Sequence, residues 1–174
     1  MKKLALKLYL AAHGAKVGSG LKCKQWPILR AIPFGNIILG NHVTIGYGVT
    51  LDIPAGGYLE IGHYVNLTHN VTVSATASVS IGEFCQIAEN VSIRDGEHGS
   101  ALGREIVYQD NVTKPVFIGR DVWVGANSVI LKGVTVPDGA IIGANSMVIW
   151  KNSLEANGIY AGNPVKMIGR RVAK

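Results

Sequence analysis

Residues 118–148 read IGRDVWVGANSVILKGVTVPDGAIIGANSMV, with an aliphatic residue at every sixth position: Ile118, Val124, Ile130, Val136, Ile142 and Val148. The same spacing extends toward the N-terminus through Leu39, Ile45 and Leu51, then Ile61, Leu67 and Val73, then Ile81, Ile87 and Ile93. Two positions before many of these residues stands another apolar one, as at Val43, Val65, Val71, Val91, Val122 and Val134. Directly after them comes Gly in many cases: Gly40, Gly46, Gly62, Gly82, Gly119, Gly125 and Gly143. This is a hexapeptide repeat, the sequence form of a parallel β-helix. Each unit makes one short strand and one corner, and three units close a triangular coil. The periodic side chains point inward and stack on their equivalents one coil later. Glycine is expected at the corners, where its freedom in φ admits dihedrals that a β-branched residue adopts only at a cost.

Composition agrees. Of 174 residues, 48% are apolar and 16% charged, which excludes a disordered chain. Gly accounts for 22, about one residue in eight, against a usual level of roughly 7%. Two cysteines, Cys23 and Cys85, give neither a disulfide framework nor a CxxC spacing, and point to a reducing, cytoplasmic setting. No apolar run is long enough to span a bilayer. The opening MKKLALKLYLAA resembles a leader, but Lys7 interrupts its apolar part and His13 and Lys16 follow closely. A net charge of +6, concentrated at the ends in Lys2, Lys3, Lys7, Lys166, Arg170, Arg171 and Lys174, favours anionic partners. Nucleic acid is not among those expected, because no basic helix or RNP-like aromatic strand is present.

The breaks in the period carry more information than the period. Leu51 to Ile61 has an excess of four residues, Val73 to Ile81 of two, and Ile93 to Ile118 of 19. Each follows a completed set of three hexads, so all three insertions should leave from one edge of the prism. The long one, residues 94–117, is where function is expected. Residues 1–16 read as a short amphipathic helix with Leu4, Leu8 and Ala11 or Ala12 on one face, capping the open end of the solenoid, with membrane-surface contact as its other reading. Turn signals at Asn157-Gly158 and Asn163-Pro164 mark the tail, whose last segment, Val165–Val172, is expected along the outside of the coil. The expected layout is an N-terminal helix and cap over 1–34, the β-helix over 35–149 and a tail over 150–174.

The stretch from Pro115 to Asn127, its continuation from Gly133 to Ala144, and the tail Tyr160-Ala-Gly-Asn-Pro-Val-Lys-Met-Ile resemble the hexapeptide-repeat acetyltransferases, in their sugar and xenobiotic O-acetyltransferase branch. The resemblance covers about residues 35–170. It implies an all-β fold, a left-handed β-helix of about five coils, a homotrimer with active sites in clefts between subunits, and acetyl-CoA as co-substrate with no metal. The handedness rests on the resemblance alone, since the crossover preference of parallel strands would suggest the opposite.

By the same resemblance the catalytic base is the histidine of the extruded loop, here His98 in Arg94-Asp-Gly-Glu-His-Gly. An imidazole, titrating near neutrality, suits removal of an acceptor hydroxyl proton as that oxygen attacks a thioester. Asp95, or else Glu97, is its expected orienting partner. Trp123 precedes an inward position, so it should face outward, lining the acyl-transfer site or packing in the trimer. Backbone N–H groups near Gly125 and Ala126 match the family's contacts to the thioester end, where they could stabilise an oxyanion. Ala144 matches a position where a small residue lets CoA lie along the coil. Many relatives carry Thr-Lys after the last ladder residue; this chain has Ile149-Trp150-Lys151, leaving Lys151 for the phosphates together with Lys166 and Arg170. Asn66 and Asn70, beside Tyr64, are candidate acceptor contacts next to the insertion edge.

His42, His63 and His69 do not form the three-histidine zinc constellation that this fold also supports, so no metal is expected. Cys85 falls at an inward position and is expected in the core rather than as a nucleophile. The acceptor is a sugar or glycan hydroxyl, with an amino sugar or an antibiotic as alternatives. Outside the enzyme class, an inert β-helix scaffold remains open. An ice-binding surface is disfavoured, because Thr44, Thr50, Thr68 and Thr72 form no flat ladder.

Overall fold

The computed structural model describes residues 2–30, 32 and 34–173; Met1, Ala31, Pro33 and Lys174 lie outside the described residues, as do the side chains of Lys2 and Lys3. Parts of the expected cap and of the basic termini therefore fall outside them.

After α1 (Lys2–Ala12) the chain winds through triangular coils. The first holds β1 (Lys16–Val17), β2 (Lys22–Cys23) and β3 (Ile28–Leu29); the second β4 (Ile37–Leu39), β5 (Thr44–Ile45) and β6 (Thr50–Asp52). The third holds β7 (Tyr58–Ile61), β8 (Asn66–Leu67) and β9 (Thr72–Ser74); the fourth β10 (Ser78–Ile81), β11 (Gln86–Ile87) and β12 (Ser92–Arg94). An antiparallel hairpin of β13 (Gly96–His98) and β14 (Asn111–Thr113) then interrupts the winding, with a short 3-10 turn, Ile106–Tyr108, between its strands. The fifth coil is β15 (Val116–Ile118), β16 (Trp123–Val124) and β17 (Val129–Ile130), and the sixth β18 (Thr135–Val136), β19 (Ile141–Ile142) and β20 (Met147–Val148). β21 (Gly158–Gly162) and β22 (Val165–Arg170) close the far end as an antiparallel hairpin.

Strands of equal rank in successive coils pair in parallel and form three faces. Face A carries β1, β4, β7, β10, β15 and β18; face B carries β2, β5, β8, β11, β16, β19, β21 and β22; face C carries β3, β6, β9, β12, β17 and β20. The register is continuous through every insertion. On face B, for instance, Ile45 lies opposite Leu67, Leu67 opposite Ile87, Ile87 opposite Val124 and Val124 opposite Ile142. All 15 ladder residues from Leu39 to Val148 are buried, none more than 3% exposed. Each contributes roughly 1.5–3 kcal/mol gross through burial, so stacking rather than local propensity holds the coils.

Six coils are present rather than about five. Val17, Cys23 and Leu29 continue the hexad spacing and pair opposite Leu39, Ile45 and Leu51. This coil is hidden in the sequence because a cysteine replaces the aliphatic residue and a further insertion, four residues beyond the regular spacing, separates Leu29 from Leu39.

Two further expectations are corrected. The glycines that follow ladder residues do not take left-handed dihedrals. They are required because the next coil lies so close: a Cβ at Gly125 would stand 2.6 Å from the backbone N of Ala144. Left-handed φ falls two residues beyond these glycines, as at Asp121, Asn127 and Asn145, where a short polar side chain tolerates it. The cap helix also presents another face than expected. Leu6 and Leu10 are fully buried against the solenoid end, whereas Leu4 and Leu8 are 60% and 61% exposed. Leucines at every second position wind onto two sides of a helix, and packing against the coil selects one of them.

Leu67, buried between Ile45 and Ile87, reports on the stacking. Leu67→Ala is expected to lower unfolding free energy by about 2–5 kcal/mol, measured by denaturant titration.

Candidate active site

Every insertion connects face C to face A. The segments 30–36, 53–57, 75–77 and 95–115 are therefore stacked on one edge of the prism, as the completed-triplet spacing predicts. Along that edge runs a groove of about 690 Å³ whose polar lining includes Arg30, Asp52, Ser74, Arg94, Glu97 and His98. Its floor is laid by register: Arg94 lies opposite Ser74 and Ser74 opposite Asp52. Arg30 reaches Asp52 at 3.5 Å, and the Nε of Arg94 donates to the Ser92 hydroxyl at 2.9 Å, with no carboxylate paired to Arg94 among the described residues.

The hairpin β13–β14 forms one wall, and several contacts fix it. Lys132 pairs with Glu97, the Lys114 N–H donates to the Asp95 carbonyl at 2.8 Å, and the Lys114 ammonium lies 5.2 Å from the Trp150 ring centre. His98 is exposed on this hairpin, in register with Asn111. Each of the other four histidines has a packing or hydrogen-bonding partner. His13 packs on Tyr9, His42 stacks on Tyr64, His69 packs on Tyr47, and His63 Nδ1 accepts from the Asn41 N–H at 2.8 Å. Among the described residues His98 is the one histidine that lines the groove of the insertion edge, and no hydrogen bond engages its ring nitrogens.

Asp95 does not orient it. The carboxylate is fully buried, and its two oxygens accept from the Thr76 and Ala77 N–H groups at 2.8 and 2.6 Å. It ties the long insertion to the short one below it. Glu97 is turned to Lys132 and makes no hydrogen bond to His98 either. Adjacency in sequence pointed to these carboxylates, but along a strand alternate side chains face opposite ways.

The residues expected to meet CoA lie elsewhere. Ala126 and Ala144 sit in successive coils at the edge between faces B and C. Their N–H groups have no partner among the described residues, whereas the Gly125 N–H already donates to the Ile142 carbonyl at 2.7 Å and is not free for an oxyanion. Trp123 faces outward on face B, 52% exposed, above a hollow of about 230 Å³ shared with Phe84 and Ile141. Lys151 lies over the Trp150 ring, Lys166 is exposed on β22, and Arg170 pairs with Glu155. Asn66 and Asn70 are not beside the insertion edge. Asn66 donates to Gln86 on face B, and Asn70 begins an amide ladder that runs through Asn90 to Asn127 along the edge between faces B and C. Ala126 thus stands at the corner between faces B and C, and His98 at the insertion edge between faces C and A, with face C between them.

The sequence reading passed over Arg30, Asp52 and Arg94. The available signal was position: Asp52 and Arg94 stand one residue beyond a ladder residue at an insertion. It also passed over Ser128 and Ser146, buried where earlier coils carry Val71 and Val91. Ser128 Oγ donates to the Gly143 carbonyl at 2.9 Å, beneath the Ala126 and Ala144 corner. Cys85 is fully buried and donates to the Gly119 carbonyl, and burial pushes its thiol up to about 11. Among the described residues no group of His, Cys, Asp and Glu is placed to hold a metal.

Residues 115–149 match the family model for the bacterial transferase hexapeptide (six repeats). The chain is 32% identical over 142 residues, 77% of its length and 71% of the relative's, to WbbJ of Escherichia coli K12, a protein ascribed to lipopolysaccharide biosynthesis as an O-acetyl transferase. It is 30% identical over 145 residues, 80% of its length and 74% of the relative's, to the Escherichia coli dTDP-4-amino-4,6-dideoxy-D-glucose acyltransferase. Among solved structures, a variant of the Bacillus cereus N-acyltransferase AntD, in complex with dTDP and coenzyme A, superposes with a TM-score of 0.81 at 25% identity, over 95% of this chain and 90% of that one. The chain belongs to the hexapeptide-repeat transferase family, and it is an acyltransferase of that family.

Two outcomes test these assignments. Asp95→Ala should destabilise the fold by about 1–3 kcal/mol, because two buried N–H groups lose a charged acceptor; thermal unfolding reads it. Cys85 should resist alkylation at pH 8 in the native protein and react fully once the chain is denatured, as scored by mass spectrometry.

Proposed function

We propose that the protein is an acetyl-CoA-dependent O-acetyltransferase acting on a hydroxyl of a sugar or glycan, with His98 as general base. The observation that carries the reading is the unengaged imidazole of His98, held by a braced hairpin over a polar groove. The named activities of the relatives, directed at lipopolysaccharide and at a nucleotide-linked amino sugar, support the acceptor class.

A nitrogen of His98 takes the acceptor hydroxyl proton as the oxygen attacks the thioester carbonyl. The tetrahedral oxyanion accepts a hydrogen bond from the free Ala126 N–H. Its collapse breaks the C–S bond, forms the ester, and releases CoA as a thiol that carries the proton back from His98. The pantetheine lies along the corner of Ala126 and Ala144, beside Trp123, with Lys151, Lys166 and Arg170 toward the nucleotide phosphates.

Because His98 and the Ala126 corner occupy different edges, the complete site is assembled between copies, in a homotrimer. A second reading, N-acylation of an amino sugar, is favoured by the likeness to AntD; it uses the same base and donor site with an amine as nucleophile. Parallel assays with hydroxyl and amino acceptors separate the two.

His98→Ala should reduce kcat by roughly 10²–10⁴-fold while leaving CoA affinity, measured by calorimetry, unchanged. Near-normal turnover of that variant would remove His98 as the base. Absence of saturable CoA heat in the wild-type protein would leave only the scaffold reading. Co-refolding His98→Ala with Ala144→Trp should restore activity that neither variant has alone, since mixed trimers contain some intact junctions; no restoration would place the whole site within one chain.

A further inference from the structure

The N-terminal end of the prism differs in charge from the rest of the molecule. The first 51 residues contain seven of the 17 Lys and Arg residues and none of the 11 Asp and Glu, Asp52 being the first acid in the chain. From Asp52 onward basic and acidic residues nearly balance, so the net charge of +6 belongs to this end.

The first coil distributes its basic residues around the prism. Lys16 projects from face A, Lys22 from face B, Lys24 follows β2 toward the next edge, and Arg30 begins the insertion edge; all four are exposed. Above this ring lies α1, whose outer stripe is apolar and uncovered, with Leu4 and Leu8 about three-fifths exposed. Trp26, Ile28 and Ile32 are also exposed around the same coil, at 40%, 59% and 60%. Lys7 is held inward, donating to the Gly18 carbonyl at 2.9 Å, which leaves the leucine stripe without a charge between Leu4 and Leu8. Leu4, Lys7, Lys22 and His42 together line a hollow of about 330 Å³ beside the helix.

An apolar stripe at the tip, with a ring of cations behind it of which Arg30 pairs with Asp52 of the second coil, is the arrangement that seats a protein on an anionic bilayer: leucines below the headgroups, ammonium groups among them. A polyanion in solution would use the cations but gain nothing from Leu4 and Leu8. A protein partner of ordinary composition would be expected to meet some acidic side chains on this face, and the first 51 residues supply none.

We infer that the N-terminal end of the prism docks end-on to an anionic lipid surface through Leu4 and Leu8 of α1 and the basic ring of the first coil. The orientation has a consequence for the site. The groove begins at Arg30 in the first coil and ends at His98 beside the fourth, a climb of three coil spacings, roughly 14 Å. A docked molecule thus opens the lower end of its groove toward the bilayer, where the headgroup of a membrane-anchored glycan reaches it. That last step rests on the function proposed above; the docking itself does not.

The test is co-sedimentation of the full chain with vesicles of phosphatidylcholine alone and of phosphatidylcholine with phosphatidylglycerol, at low and physiological salt. Binding is expected only to the anionic vesicles and should weaken as salt rises. Lys22→Glu combined with Lys24→Glu should reduce partitioning by more than about tenfold, each basic residue contributing roughly fivefold near such a surface. Leu4→Ser combined with Leu8→Ser should reduce it comparably without changing the circular dichroism spectrum or turnover of a soluble acceptor. No binding to anionic vesicles, or binding that the leucine variant leaves intact, overturns the inference. Heparin binding unaffected by the leucine substitutions, in the absence of vesicle binding, would identify a general polyanion patch instead. Because partitioning is read without turnover, its failure is distinguishable from failure of the acetyltransferase reading.

Discussion

Inter-coil hydrogen bonding is the constraint on which the rest of this molecule depends. Each strand of the six coils is two to four residues long, too short to persist alone, and its one or two inward side chains are covered only by the coils on either side. Register is therefore not negotiable: a slip of one residue would turn every ladder side chain outward. An insertion must leave at a corner and return to the same register. Ile81 and Ile118 meet this condition across the 36 residues between them, since they face each other directly in the ladder.

Corners tolerate what strands do not, and the three edges have been put to different uses. The edge between faces A and B carries a stack of rings, His42 on Tyr64 and Tyr64 on Phe84, with the Arg120 guanidinium over the last. His42, Tyr64 and Phe84 hold left-handed backbone, which bulky side chains adopt at a cost, and the stacking offsets part of it. The edge between B and C carries the amide ladder of Asn70, Asn90 and Asn127, where left-handed φ is nearly free for asparagine. Beside that ladder Ala126 and Ala144 leave their N–H groups unused. The edge between C and A carries the insertions and the groove. None of these arrangements disturbs the core, because each is built from positions that point away from it.

How much of this was legible in the sequence follows from the same geometry. Periodicity is a property of the core, so the ladder, the insertions and their common edge could be read directly, and His98 stood out as the only histidine in the longest insertion. Direction is not a property of spacing. Nothing in Arg94-Asp-Gly-Glu-His shows that Asp95 turns down to the Thr76 and Ala77 amides while Glu97 crosses to Lys132, because those partners lie 18 to 35 residues away. The first coil was missed where Cys23 replaces an aliphatic residue. The exposed leucines were missed because a helix with leucine at alternate positions offers two apolar stripes, and only the solenoid end decides between Leu6 with Leu10 and Leu4 with Leu8.

The division of the proposed site between two edges gives assembly a role in chemistry. Within one chain the Ala126 N–H has no acceptor among the described residues and His98 overlooks an open groove, so a thioester bound there would be exposed to water as well as to an acceptor. Apposing the B–C edge of one copy to the insertion edge of another would bring base, oxyanion donor and acceptor groove together and exclude water at the same junction. The bracing of the hairpin is then as important as the histidine it carries. Asp95, Lys132 and Lys114 would touch no reacting atom, yet they fix where His98 stands relative to its own coil, and in the proposed assembly where it would meet a neighbouring one. A loop free to move would lose the proximity that makes a general base effective. In the proposed reaction Asp95 would act through the anchoring of its insertion, since both its oxygens are taken by the Thr76 and Ala77 amides.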